Sequence, residues 1–292
     1  MHASNSYPFH HLQDALNGQD CLIASSVFDA MSARIAQSIG SHIGIMGGSV
    51  ASQAILGAPD LVLMTASELV EQSRRICRTN CVDLIVDADH GYGNALNVMR
   101  TVEDLQAAGV AGVCLEDTAL PQAYSQTQPQ VLLSLDEGRQ KISAALQARG
   151  RGPMMIFGRT NAVSSHGIEE ALKRLLAYED LNVDALFVPY LTQRSDLEYI
   201  ARRVHLPIIT AGCHADLYEP KFLKDCGVKI WMWGHQPLLA AYSTLRHAMQ
   251  AAHEGTPPSK ILLDVEKDLF TLLTDADTYG NLADRFLKPN QQ

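Results

Sequence analysis

The sequence predicts an α/β protein of the (β/α)8 TIM-type barrel class, with additional helices at the C-terminus. Three observations lead there. Eight short apolar runs alternate with helical stretches along the chain, and its 292 residues suit one large α/β domain. The G-x-G-x-x-G turn that marks an open nucleotide-binding sheet does not follow the first run. Strand-then-helix units repeated in this way imply a parallel sheet covered by helices.

In chain order the expected strands are Cys21–Val27, His42–Gly48, Val82–Asp87, Gly112–Glu116, Met154–Arg159, Ala185–Val188, Pro207–Ala211 and Lys229–Trp233. Helical patterns lie between them over Ala66–Arg78, Ala95–Ala108, Leu135–Ala148, Ile168–Tyr178, Arg194–Val204 and Pro220–Asp225. Ser134 and Glu137 have the spacing of a capping box, and Gly109 and Gly150 stand where helices stop. After the eighth strand one helix is expected over Gln236–His253, a break over Glu254–Pro258, and one or two helices over Lys260–Phe286. Residues 1–253 are therefore expected to form the barrel with an N-terminal helical lead-in. Residues 254–292 are expected to form a helical tail that packs on the barrel or on a neighbouring subunit.

Composition narrows the function. Apolar residues make up 47% of the chain, enough for a sizeable core. A net charge of −9 argues against a nucleic-acid binder, which needs clustered Lys and Arg. No apolar run approaches the length of a membrane span. The first twenty residues lack the basic start and apolar centre of a signal peptide. The six cysteines are scattered, mostly in apolar runs, as expected of buried thiols in a reducing compartment. A cytoplasmic protein is expected.

Barrel enzymes carry their chemistry at the C-terminal ends of the strands. Those ends contribute Gly47-Gly48-Ser49, Asp87 with Asp89, Glu116-Asp117, Arg159-Thr160-Asn161, Thr210 to His214, and His235. Asp87 and Asp89 point the same way from an extended chain and repel unless a cation lies between them. Their oxygens are the hard ligands that Mg²⁺ selects. Glu116 closes an apolar run, where an unpaired carboxylate is costly and a water-mediated metal contact would offset the cost. Arg159 is either a structural ion-pair partner or a bidentate anion binder. Gly48 and Ser49 form either a tight turn or a set of exposed N–H donors for a carboxylate or enolate oxygen. Asp117 is either a helix cap or a site residue, and His235 either a core histidine or a site residue.

Taken together, four segments resemble the isocitrate lyase/phosphoenolpyruvate mutase superfamily. They are Gly47–Ser52, Asp87-Ala88-Asp89-His90-Gly91-Tyr92-Gly93-Asn94, Gly112–Asp117 and Gly158–Ala162. The resemblance runs from about Ser25 to His235. It is strongest to the bacterial oxaloacetate decarboxylase branch, through Asn94–Val102 and Gly234-His235. It implies Mg²⁺, with Mn²⁺ as a substitute, held directly by Asp87 and through waters by Asp89 and Glu116. It implies an α-keto acid substrate contacted by Gly48, Ser49, Arg159 and His235. It also implies a homotetramer, a dimer of dimers, whose subunits exchange a C-terminal helix.

Within the superfamily, isocitrate and methylisocitrate lyases carry a Lys-Lys-Cys-Gly-His loop after the fourth strand. Phosphonopyruvate-handling members place Lys and Asn there. Thr118-Ala119-Leu120-Pro121-Gln122-Ala123-Tyr124-Ser125 has none of these side chains. Decarboxylation of oxaloacetate to pyruvate and CO₂ through a metal-stabilised enolate is the member reaction that does without them. Arg159 would stabilise the developing charge, and His235 would orient the substrate or protonate the enolate. The remaining alternatives are another C–C lyase or C–P bond enzyme, and a keto-acid-binding barrel without catalysis. One departure concerns the far end of the pocket. The decarboxylase-like pattern has a Tyr near the end of the seventh strand, where this chain reads Thr210-Ala211-Gly212-Cys213-His214.

Overall fold

The computed structural model describes residues 9–121, 131–261 and 269–288. The part of the loop sequence at 122–125 and part of the expected last helical stretch, 262–268, lie outside them. The chain divides into two compact units, Met1–His235 and Gln236–Gln292.

The first unit is a closed barrel of eight parallel strands in sequential order. The strands are β1 (Leu22–Ser26), β2 (Ile43–Met46), β3 (Asp83–Asp87), β4 (Gly112–Glu116), β5 (Met155–Arg159), β6 (Ala185–Phe187), β7 (Ile208–Ala211) and β8 (Val228–Met232). Its helices are α1 (His10–Asn17), α2 (Ala30–Ser38), α3 (Gly48–Ala51), α4 (Ala66–Cys77), α5 (Ala95–Ala108), α6 (Leu135–Arg149), α7 (Ala162–His166), α8 (Ile168–Glu179), α9 (Arg194–Ala201) and α10 (Pro220–Asp225). The second unit contributes α11 (Gln236–His253), α12 (Pro258–Ile261), α13 (Leu269–Thr274) and α14 (Ala276–Phe286). No helix among the described residues is long and apolar enough to cross a membrane.

Each expected strand forms, shifted or shortened at its ends by at most two residues. The second strand stops before Gly47 because the Gly47 carbonyl already accepts from Ala51 N (2.9 Å) and starts α3, which continues into a π-helical turn over Ser52–Leu56. Helix α1 lies in the stretch expected as an N-terminal helical lead-in, for which the sequence offered no bounds, and α2 is not among the expected helical patterns. The expected capping box at Ser134 is half realised, its hydroxyl accepting from Glu137 N at 3.2 Å. Full boxes form instead at Asp29, Thr65 and Asn94.

Side-chain alternation along the strands separates two cores. Ile85, Cys114, Phe157, Ala185, Ile209 and Ile230 share one apolar cluster with Leu12, Ala15 and Leu16 of α1. Their neighbours Leu84, Val86, Val113, Leu115 and Ile156 belong to a second cluster with residues of the surrounding helices. Helix α1 is tied to the first residue of β3, where Asp83 Oδ2 accepts from Leu12 N at 2.9 Å. The same alternation puts Asp87 on the face of Ile85, Glu116 on that of Cys114 and Arg159 on that of Phe157. Glu116 pairs in register with Arg159, and Asp87 with Cys114. Three charged side chains thus meet at the C-terminal mouth.

Candidate active site

Arg159 is the hub of the mouth. Its Nη1 donates to Asp87 Oδ2 at 2.6 Å, its Nη2 pairs with Glu116 Oε2 at 2.8 Å, and its Nε donates to Asn161 Oδ1 at 3.1 Å. The guanidinium lies 5.3 Å from the centre of the Phe187 ring. Three of five N–H donors are engaged, which leaves two for a bound anion. Asn161 closes the triangle by donating from Nδ2 to Glu116 Oε2 (2.7 Å) and Thr118 Oγ1 (3.0 Å). Arg159, Glu116 and Asn161 are all buried, so each polar contact stands in for lost water.

Asp117 anchors this triangle and caps no helix. Its carboxylate accepts from Asn161 N (3.2 Å), Arg174 Nη1 (3.2 Å) and Tyr178 Oη (3.1 Å) while the residue is 1% exposed. The turn after β5 is thereby fixed from below.

Asp89 follows β3 in a left-handed conformation (φ 47°) and is buried. It packs against the bare Cα of Gly48, where a Cβ would lie 2.5 Å from Asp89 Oδ1. Burial pushes the Asp89 carboxyl well above the ordinary carboxylate range, and the neighbouring Asp87, Glu116 and Asp60 charges add to it against Arg159. Asp60, from the loop after the π-helical turn, lines the same cavity, and desolvation with the Asp87 charge raises it too. On the same side of the mouth, Ser49 Oγ and His235 Nε2 are 2.8 Å apart. His235 Nδ1 is buried and has no partner among the described residues.

These groups enclose a cavity of about 440 Å³. Six of the seven residues singled out in the sequence line it: Ser49, Asp87, Asp89, Glu116, Arg159 and His235. The seventh, Gly48, supports Asp89 from behind. Of the segment Thr210–His214, Ala211 and Gly212 line the cavity, whereas Thr210 Oγ1 turns away to the Val188 carbonyl (2.7 Å). Three further residues gain significance from the geometry. Asp60 stands beside no strand and carried no signal, Tyr190 lies three residues past β6, and Asn161 stood at a strand end without an assigned partner.

The donor set suits a hard divalent cation. Four carboxyl groups line the cavity with one guanidinium, an excess of negative charge that a divalent cation would offset. Among the described residues no three His, Cys, Asp or Glu side chains converge closely enough to hold an ion by themselves. Water or substrate oxygens would therefore complete the shell, as Mg²⁺ commonly requires.

Residues 12–253 match the phosphoenolpyruvate phosphomutase family. A protein of Rhodopseudomonas palustris (strain BisA53) named oxaloacetate decarboxylase is 44% identical over 276 residues, covering 94% of this chain and 95% of the relative. One of Paraburkholderia xenovorans (strain LB400) with the same name is 41% identical over 276 residues, covering 94% and 92%. Among solved structures, oxaloacetate acetylhydrolase in complex with 3,3-difluorooxalacetate superposes with a TM-score of 0.82 at 26% identity, covering 95% of this chain and 97% of that one. Phosphoenolpyruvate phosphomutase from Streptomyces platensis subsp. rosaceus shares the fold, with a TM-score of 0.85 at 23% identity and coverage of 96% and 99%.

Proposed function

The chain belongs to the phosphoenolpyruvate phosphomutase family, and from that premise we propose that it decarboxylates oxaloacetate to pyruvate and CO₂. The observation that carries this reading is the buried hub, Arg159 held between Asp87 and Glu116 at the strand ends. The following loop sequence, Thr118–Ser125, brings no Cys, Lys or Asn that an acid–base cleavage or phosphoryl transfer would use. The names of relatives at 41–44% identity support the same reaction.

Loss of CO₂ breaks the bond from C3 to the distal carboxylate, the electron pair left on C3 delocalises onto the keto oxygen, and a proton taken up from solvent at C3 completes pyruvate. Asp87, Asp89 and Glu116 would hold Mg²⁺ or Mn²⁺, which when bound supplies a Lewis acid for that oxygen. Arg159 places a fixed positive charge beside the same oxygen, and because it is already oriented by three partners it needs no reorganisation as charge develops. With the proton on Nε2, His235 donates to Ser49 Oγ, and the serine hydroxyl is then available to a substrate oxygen. Phe187, Pro189, Met232 and Trp233 supply apolar walls that lower the local dielectric and strengthen these interactions.

The test is a purified-protein assay with Mg²⁺ that follows pyruvate, oxalate and glyoxylate from oxaloacetate and methylisocitrate. Pyruvate should form from oxaloacetate faster than with free Mg²⁺, and Asp87→Ala should abolish both activity and metal affinity. Oxalate as the product would instead assign hydrolytic cleavage, and oxaloacetate consumed only at the free-metal rate would overturn decarboxylation.

The same reading extends to assembly as a homotetramer. Leu239, Tyr242, Leu245 and Met249 of α11 and Tyr279, Leu282 and Phe286 of α14 are exposed in the single chain, apolar surface that association would cover. Sedimentation of the full chain checks this, and a monomer at micromolar concentration would refute it.

A further inference from the structure

Tyr190 holds an unusual position at the cavity wall. It follows β6 in a left-handed conformation (φ 63°), which a residue with a Cβ adopts only when its surroundings impose it. Its N–H donates to the Ala211 carbonyl at 2.9 Å, which fixes the backbone against β7. Its ring packs over Gly212, where a Cβ would lie 2.9 Å from two ring carbons. Gly212 is itself left-handed (φ 62°), so the glycine both permits the turn and makes room for the ring. Tyr190 remains 47% exposed and lines the cavity, although the β7 end offers no bulky side chain of its own.

The barrel order gives the position a meaning. Ser49 follows β2 and Tyr190 follows β6, four strands apart in a closed ring of eight, so they face each other across the mouth. A four-carbon keto diacid with its α-carboxylate and keto oxygen toward Ser49 and the acidic cluster extends C3 and its distal carboxylate toward β6. Resting on the decarboxylation reading above, we propose that Tyr190, seated over Gly212, binds the carboxylate that departs as CO₂. Burial pushes the phenol up, with Arg159 opposing, so Tyr190 stays a protonated donor near that charge.

Such a bond has a distinctive kinetic signature. The carboxylate loses its negative charge as it becomes CO₂, so the hydrogen bond is stronger in the bound substrate than in the transition state. Removing it weakens substrate binding without raising the chemical barrier. Tyr190→Phe keeps the ring over Gly212 and deletes only the hydroxyl. It should raise KM for oxaloacetate by ~10-fold and leave kcat unchanged or higher. Calorimetry provides a readout free of turnover. The variant should bind 3,3-difluorooxaloacetate ~10-fold more weakly, while oxalate, which has no C3 or C4, binds within about twofold of wild type. Gly212→Ala, which must displace the ring, should weaken the same four-carbon ligand selectively.

A fall in kcat at unchanged KM, equal weakening of both ligands, or no change in either would overturn the assignment. Wild-type protein that binds 3,3-difluorooxaloacetate without converting oxaloacetate would defeat the decarboxylase reading alone, and the ratio of the two affinities would still judge Tyr190. Wild-type protein that binds neither ligand would defeat both.

Discussion

Asn161→Ala removes the side chain that ties Arg159 to Glu116. Its amide nitrogen lies 2.7 Å from Glu116 Oε2, and its oxygen 3.1 Å from Arg159 Nε. Both partners are charged and buried, and a hydrogen bond to a charged group contributes about 1.5–3 kcal/mol. Two such bonds set an upper range of about 3–6 kcal/mol. The direct Arg159–Glu116 pair at 2.8 Å survives the substitution, and water can enter from the adjoining cavity. The lower end, about 3 kcal/mol, is therefore expected. At roughly 2–4 °C per kcal/mol for a domain of this size, Tm should fall by about 6–12 °C. Arg159 would also lose one of three orienting contacts, so kcat/KM for oxaloacetate should fall by ~10-fold, mostly in kcat. Differential scanning calorimetry and steady-state kinetics on the same preparation check both effects. A Tm within about 2 °C of wild type would refute the claim that this triangle is an energetic unit.

Gly48→Ala places a methyl group 2.5 Å from Asp89 Oδ1, and because Asp89 is buried it has little room to retreat. Mg²⁺ affinity measured by calorimetry should drop by ~10-fold or more, and unchanged affinity would remove Asp89 from the metal site. Asp117→Asn weakens a buried junction but leaves Arg174 its second partner, Glu170, at 2.8 Å. Stability in urea should fall by about 2–3 kcal/mol, below the 3–5 expected when a buried charge loses its sole partner, and a loss under about 0.5 kcal/mol would show that Asp117 anchors nothing. Burial raises the Cys21 thiol to about 11, so it stays protonated and slow to react at neutral pH. Its alkylation by iodoacetamide, followed by mass spectrometry, should climb ~10-fold per pH unit between about 7 and 10, and a plateau near pH 9 would contradict the shift.

How much of this was legible in the sequence follows from what each element has to satisfy. Central barrel strands are covered on both faces, so Asp83–Asp87 and Gly112–Glu116 stand out as apolar runs whatever surrounds them. Helices α4 and α5 advertise themselves through caps and apolar spacing. Helix α1, with the sequence His10-His11-Leu12-Gln13-Asp14-Ala15-Leu16-Asn17, does not. It exists because Leu12 and Leu16 join the barrel's inner cluster and Asp83 accepts from Leu12 N, contacts made with strands far away in sequence. The turn at Gly48 is similar. Asp89 occupies the space a side chain at position 48 would need, so the first residue of α3 has to be glycine, a requirement set by a residue on another strand's end.

The site divides along the same line. Asp87, Glu116 and Arg159 could be found because strand parity and strand ends are properties of the chain itself. Asn161, Asp117 and Tyr190 acquire their roles from partners mostly on other elements of the fold, so the sequence places them near the mouth without saying what they hold. Tyr190 is the sharpest case. Scanned strand by strand, the end of β7 lacks a large side chain at the pocket, and Gly212 reads as a loss. In the folded barrel the same glycine is the floor on which a tyrosine from β6 rests, its Cα in reach of the ring. A residue missing from one strand and a residue added on its neighbour are one feature of the wall, and the selectivity of the pocket has to be argued from the pair. If the carboxylate lost as CO₂ is held there, Arg159 and the carboxylates proposed to hold the metal are left to the keto oxygen. The site is then divided into one half that stabilises developing charge and another that holds charge about to vanish.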